Sequence, residues 1–157
     1  MTNCLLCENK TEVLLELGQQ PLANDLLNEV ESPCRTFPLT LARCPVCKHI
    51  QLKERISPKE LFSEYAWVTG TSKAANNFSK VLFSKILSIQ SKFKKVLEIA
   101  SNDGTFLKPF KNKGYSVLGF DPAKNIAEIA CKEGIETINE FFNHANAIKM
   151  FNERNDL

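Results

Sequence analysis

The chain has 157 residues, 43% of them hydrophobic and 24% charged, with a formal net charge of +2. That length admits one ordinary domain or two small ones, and the composition is that of a globular chain and not a disordered one. So small a charge offers little attraction to nucleic acid or an anionic membrane, and no stretch approaches the roughly 18 consecutive apolar residues of a membrane helix. The N-terminus lacks the basic segment and apolar run of a secretory signal, so the chain is expected to be cytoplasmic. Thiols stay reduced there, and the six cysteines read as metal ligands or buried apolar groups before they read as disulfides.

In chain order, the first signal is a pair of C-x-x-C turns, Cys4-Leu5-Leu6-Cys7 and Cys44-Pro45-Val46-Cys47. Each points two thiolates into one concavity, and two facing turns supply the tetrahedral sulfur set that zinc prefers. The 36 residues between them exceed the roughly 15–20 of compact sites, so the intervening segment must carry its own structure. A redox dithiol or two coincidental turns are the alternatives, although a thioredoxin-like dithiol belongs after a strand in a βαβ unit, which neither pair has. A closed four-sulfur site would be structural, because no coordination position is left for water. Cys34 and Cys131 stand alone and are expected to be small buried apolar residues. His49 is expected on the surface or in a loop.

Leu14–Gly18 and Phe37–Leu41 read as short strands broken by turns, and Ile50–Leu52 continues the pattern. Residues 1–56 thus form a small β-rich module of the size that needs a metal staple. Ser57-Pro58-Lys59-Glu60 is a helix start with a capping box, leading a short helix to about Tyr65. Thr71 or Ser72 caps a longer helix, whose Phe78, Leu82, Ile86 and Ile89 form an apolar stripe expected to pack into the core. Residues 57–93 are therefore a helical linker. Lys92, Lys94 and Lys95 read as a solvated strand entrance.

From residue 94 the pattern becomes strand, turn, helix, repeated. Strands are expected at 96–100, 116–121 and, more weakly, 136–138, with helices near 105–113, 123–133 and 144–153. Such alternation means a parallel sheet. The expected class is α/β: a zinc-stapled β-rich module, a helical linker, and the first half of a Rossmann-like sheet over residues 94–157.

The turn within "VLEIASNDGTFL" (96–107) looks like a nucleotide loop that has lost most of its glycines. Only Gly104 remains, and Ala100 and Asn102 stand where smaller residues are expected. A pyrophosphate is best met by bare backbone amides at a glycine turn, whereas Glu98, Ser101, Asn102 and Asp103 offer acceptors for a ligand with a cationic end. S-adenosylmethionine, with its adenosine, sulfonium and amino-acid tail, has that character. Asp121 lies 23 positions after Glu98, near the roughly 20-residue offset at which a carboxylate meets ribose hydroxyls. Asp121-Pro122 as a simple helix cap is the other reading, and the two are compatible.

Taken in order, "CLLCENK", "LGQQPLANDLL", "FPLTLARCPVCKHIQL", "SPKELFSEYAWVTGTS", "VLEIASNDGTFL" and "LGFDPAKNIAEIA" resemble the S-adenosylmethionine-dependent C-methyltransferases that act on nucleotide-linked deoxysugars. The resemblance covers essentially the whole chain. It implies a zinc-binding N-terminal domain with Cys4, Cys7, Cys44 and Cys47 as ligands, then a class I methyltransferase domain. It further implies that Glu98, Ala100, Asn102 and Asp121 line the cofactor, and that Tyr65 and Ser72 close over cofactor or substrate from the linker side. Ala100 departs from the glycine that most class I methyltransferases carry. A nucleotide-sugar substrate follows from the same resemblance.

Such a domain needs about seven strands, and the 62 residues after Lys95 hold three. Asn155-Asp156-Leu157 read as the opening of a fourth. No residue stands out as the catalytic base: Tyr65 is the only tyrosine near the expected site, and His144 falls on the wrong helix. The chain is therefore expected to be an N-terminal fragment with the zinc module and half a cofactor site, without turnover unless another chain supplies the missing half. Two competing readings are a zinc-stabilised module that docks onto protein or nucleic acid, and a nicotinamide-dependent enzyme. The first leaves Glu98 and Asp121 unused, and its nucleic-acid form lacks aromatics interleaved with basic residues. The missing glycines argue against the second.

Overall fold

In the computed structural model, which describes residues 2–27, 29 and 31–153, the chain divides into two units, residues 1–57 and 58–157. The first is built on three antiparallel strands in the order β1 (Glu12–Pro21), β2 (Thr36–Arg43), β3 (Ile50–Leu52). The glycine expected to end the first strand instead bulges it. Gly18 has φ +73°, and the β1–β2 register shifts between Glu16 and Gln19, so an extra residue in a left-handed conformation is absorbed without breaking the ladder. Pro38 is tolerated in β2 because β3 pairs only with residues 41–43, leaving no donor required at position 38 on that side.

Little apolar surface is buried in this unit. Among the described residues, Ala42, Cys4 and Cys44 are its buried apolar residues, beside the polar Thr11, Thr40 and Gln51, while Val13, Leu14, Leu15 and Leu17 of β1 all remain exposed. Two of the three core residues are thus predicted metal ligands. Gln51 links the first cysteine turn to β3: its Oε1 accepts from the Leu5 N–H at 2.9 Å and its Nε2 donates to the Asn3 carbonyl at 3.1 Å.

The two C-x-x-C turns are built alike. In the first, Cys4 N–H donates to the Asn9 carbonyl and Glu8 N–H to the Cys4 carbonyl; in the second, Cys44 N–H donates to His49 and Lys48 N–H to Cys44. The residue after each second cysteine is left-handed, Glu8 at φ 61° and Lys48 at φ 68°, a conformation that costs a side-chain-bearing residue about 1 kcal/mol. Glu8→Gly and Lys48→Gly are each expected to stabilise the zinc-loaded unit by up to about 1 kcal/mol, read as a higher denaturant midpoint at constant zinc.

The second unit begins with α1 (Pro58–Phe62), a 3-10 turn over Thr69–Thr71 and α2 (Lys73–Ile89). Ser72 caps α2, its Oγ accepting the Ala75 N–H at 3.2 Å. The expected alternation follows: β4 (Lys95–Ile99), α3 (Lys108–Asn112), β5 (Ser116–Phe120), α4 (Lys124–Lys132), β6 (Thr137–Ile138) and α5 (His144–Glu153). The strands are parallel in the order β4-β5-β6. Period-2 alternation puts Val96 and Val117 on one face with Leu107, Ala130 and Ile135, and Leu118 and Phe120 on the other with Met150 of α5. Apolar packing on both faces of a parallel sheet is the arrangement of a Rossmann-like half-domain.

Two sequence expectations need correction. Phe78 and Ile89 are 55% and 78% exposed, so neither is buried in the core, although Phe78 still meets Phe106 edge-on at 6.0 Å. The helix packs instead through the side around Ser79 and Phe83, where small Ser79 is buried and Phe83 meets Phe110 edge-on at 4.9 Å. Cys34 and Cys131 are exposed. On α4 the buried residues are Ile126, Ala127 and Ala130, which turns position 131 away from the sheet. The expected fourth strand at 155–157 lies outside the described residues.

Candidate functional site

The sulfurs of Cys4, Cys7, Cys44 and Cys47 all lie within 4.8 Å of one another. Those of Cys4 and Cys47 are 3.5 Å apart, Cys7 and Cys44 3.5 Å, and Cys7 and Cys47 3.4 Å. A tetrahedral zinc with Zn–S near 2.3 Å holds its sulfurs about 3.8 Å apart, so the set fits the ion with a small expansion. Side-chain and then backbone hydrogen bonds from Asn9 draw the Cys7 thiol down to about 6. The His49 backbone also lowers Cys47, but the crowding thiol of Cys7, burial and the thiols of Cys4 and Cys44 push it up to about 12. Sulfurs this close cannot all ionise without a cation between them, and that is the chemistry of a metal-binding donor set. With four thiolates such a metal is structural. His49 is not among the clustered donors.

The second site lies where β4 and β5 end. Their register pairs Ile99 with Phe120, so the turns that follow open side by side, the usual ligand position of such sheets. The turn after β4 keeps the backbone path of a glycine loop without the glycines: φ is +57° at Ala100, +51° at Asn102 and +74° at Gly104. Only the third is glycine, and its Cβ would fall 2.8 Å from Ile135. Reasoning from glycine content alone passed this path by, because Ala100 carries no sequence mark of a left-handed backbone.

Asp121 holds the two turns together. Its Oδ2 accepts the Asn102 N–H at 2.8 Å and its Oδ1 the Ala123 N–H at 2.9 Å. It is not the cap of α4, whose N-cap is Ala123 with no side-chain cap hydrogen bond; it holds the turn that leads into that helix and at the same time the loop after β4. Asn102 and Asp103 face a different way from the sequence expectation. Asn102 Oδ1 accepts the Thr69 N–H and its Nδ2 donates to the Trp67 carbonyl; Asp103 accepts the Gly70 N–H at 3.0 Å. Their polar ends thus hold the segment 67–70 against the loop. Gly70 is required there, since a Cβ would lie 2.4 Å from Asp103 Oδ2.

A cavity of about 460 Å³ opens at these turns, within the range of small-molecule sites. Ala100, Asn102 and Asp121 line it, with Ile99, Phe120, Phe141 and Phe142 as apolar walls and Phe62 and Tyr65 from the α1 side. Glu140, which sequence reasoning missed, also lines it; only its place just after β6 could have marked it. No lysine or arginine lines the cavity among the described residues. Of the predicted cofactor residues, Tyr65, Ala100, Asn102 and Asp121 are thus brought together, whereas Ser72 serves as the α2 cap.

Glu98 belongs to β4, with Oε2 buried and without a hydrogen-bond partner. Burial first, then the carboxylates of Asp103 and Asp121, raise its pKa from 4.5 to about 7. An unfolded chain ionises this group near 4.5 while the native one keeps the proton to about 7, so stability falls as pH rises across that window. The loss is up to about 3 kcal/mol. Glu98→Gln is expected to remove most of that fall, which melting temperatures between pH 5 and 8 will show.

Residues 4–62 match a domain family described as "Putative zinc binding domain". Over 131 residues the chain is 30% identical to the C-methyltransferase NovU of Streptomyces niveus, a match covering 80% of this chain and 31% of that protein. Among solved structures, the PH0226 protein of Pyrococcus horikoshii OT3 is similar at 20% identity and a TM-score of 0.43, over 47% of this chain and 35% of that one. A SAM dependent methyltransferase from Archaeoglobus fulgidus is similar at 18% identity and a TM-score of 0.37, over 47% and 32%. The chain spans about a third of the length of the curated relative, and no described helix is long and apolar enough to cross a membrane. The chain thus carries, over residues 4–62, a domain that matches the putative zinc-binding family with the four-cysteine cluster inside it, and over most of its length it is similar to a C-methyltransferase.

Proposed function

We propose that the cavity beside Asp121 binds S-adenosylmethionine, and that Cys4, Cys7, Cys44 and Cys47 hold a structural zinc ion. The observation that carries the first half is the charge of the cavity lining. Asp121 and Glu140 line it, and among the described residues no lysine or arginine does. Such a site repels a pyrophosphate and favours a sulfonium and an ammonium group. Asp121 has lone pairs left for ribose hydroxyls after accepting two backbone N–H groups, and the phenylalanine walls suit a purine face.

When bound, the cofactor supplies an electrophilic methyl group. The substrate carbon that would accept that methyl group lies alpha to a carbonyl and would first have to lose a proton. Ala100, Asn102 and Asp121 would hold and orient the ligand, while Phe141 and Phe142 exclude water. The substrate on this reading is a nucleotide-linked keto-deoxysugar, with the proton-abstracting base supplied from outside the residues of this cavity, by a longer or second chain. Thiolate ligation of zinc suits a reducing cytoplasm.

Calorimetric titration of the zinc-loaded protein with S-adenosylhomocysteine tests the reading. One-to-one binding that a reduced nicotinamide cofactor does not displace is the expected result. Binding of the nicotinamide alone would support the dehydrogenase reading instead. A zinc-loaded chain that binds neither would leave a docking module as the better account.

A further inference from the structure

The only tryptophan and one of the two tyrosines of this chain lie in the short segment between α1 and the 3-10 turn, and Tyr65 lines the cavity. Nothing within the segment itself is helical or paired in a sheet from Ser63 to Val68. Its position is set by distant side chains. Asn125, at the start of α4, accepts the Tyr65 N–H on Oδ1 at 3.1 Å and donates from Nδ2 to the Tyr65 carbonyl at 2.8 Å. Next to it, the Lys124 N–H donates to the Ser63 carbonyl at 3.0 Å. One amide group thus satisfies both backbone polar atoms of a single residue 60 positions away.

This grip has a particular geometry. Two hydrogen bonds from one planar amide fix orientation as well as distance, as a single bond cannot. Asn125 is anchored by the helix whose first turn follows Asp121, since Ala123 N–H is held by Asp121 Oδ1. The aspartate that lines the cavity and the asparagine that holds Tyr65 are therefore four residues apart in the sequence. A lining residue contributes fully to binding only if it is placed before the ligand arrives; otherwise ordering it subtracts from affinity.

We infer that Asn125 is a positioning residue that presents Tyr65 to the cavity, and that the segment 63–68 is a wall of the ligand site docked onto α4 by that amide. The inference rests on the S-adenosylmethionine reading for the identity of the ligand, though not for the placement of the wall.

Both parts are tested on the zinc-loaded full chain with Asn125→Ala, Tyr65→Ala and the double variant. Affinity for S-adenosylhomocysteine is expected to fall about tenfold in Asn125→Ala, and the double variant is expected to bind no more weakly than Tyr65→Ala alone. Asn125→Asp, which keeps the acceptor for the Tyr65 N–H, is expected to recover part of the loss. Without ligand, the fluorescence of Trp67 reports the segment directly: Asn125→Ala is expected to shift its emission and raise its quenching by acrylamide. An Asn125→Ala loss that persists undiminished in the Tyr65→Ala background would overturn the positioning role. Unchanged Trp67 emission and quenching would overturn the docking of the wall, even if the parent protein bound no S-adenosylhomocysteine, a result that would count against the proposed ligand separately.

Discussion

Cys44→Ser is expected to abolish stoichiometric zinc and to unfold the first unit while leaving the second folded. Cys44 is fully buried and, with Cys4 and Ala42, makes up the apolar core of residues 1–57 among the described residues. A three-stranded sheet with so little buried surface has scant stability of its own. A structural zinc site supplies an apparent free energy of about 10–16 kcal/mol near neutral pH, far more than a module of this size gains from burial. Zinc content after gel filtration, with circular dichroism in the strand region, checks the outcome. Cys34→Ser and Cys131→Ser serve as controls and are expected to bind zinc normally, since both thiols are exposed and neither joins the cluster. A Cys44→Ser protein with an intact sheet would mean that the four sulfurs converge for some other purpose.

Asp121→Ala is expected to cost the second unit about 3 kcal/mol and to lower affinity for S-adenosylhomocysteine more than a hundredfold. The carboxylate accepts two backbone N–H groups, from Asn102 and Ala123, and is only 6% exposed. A hydrogen bond to a charged group contributes about 1.5–3 kcal/mol, and removing the acceptor leaves its donors without a partner. The loop after β4 carries two side-chain-bearing residues at positive φ, so it needs such external support to hold its path. Asp121→Asn keeps one acceptor oxygen and turns an amine on the other N–H, and is expected to fall between the two. Chemical denaturation and calorimetry on the same three proteins separate the loss of stability from the loss of ligand affinity. An alanine variant as stable as the parent would show that Asp121 does not hold the two turns.

Much of this architecture was legible because its signals are local. The cap at Ser72, the paired C-x-x-C turns and the alternation of strands with helices after Lys95 each depend on neighbours within a few positions. What escaped depends on partners far along the chain. Asn125 grips a residue 60 positions earlier, and Asn102 holds a segment 33 to 35 positions earlier; asparagines on polar stretches carry no mark of such duties. The turn after β4 misled because glycine content was taken as a proxy for backbone conformation, whereas Ala100 and Asn102 are forced into the same region by Asp121 and by the sheet register. On α2 the apolar residues span more than one face, so periodicity admitted several stripes and chose one that includes the exposed Phe78 and Ile89.

The spacing of the metal ligands also sets a clock. At about 5–20 residues per second of synthesis, Cys44 follows Cys7 by roughly 2–7 s, and Asp121 comes about 70 residues after Cys47. For the first interval the chain presents one naked dithiol, joined before the second pair appears by the exposed Cys34. Any oxidant or competing metal has its best opportunity then. Once Cys47 emerges, zinc can close the module well before the parallel sheet has its second strand, so the yield of correctly assembled protein should follow zinc supply during synthesis more closely than zinc supply afterwards.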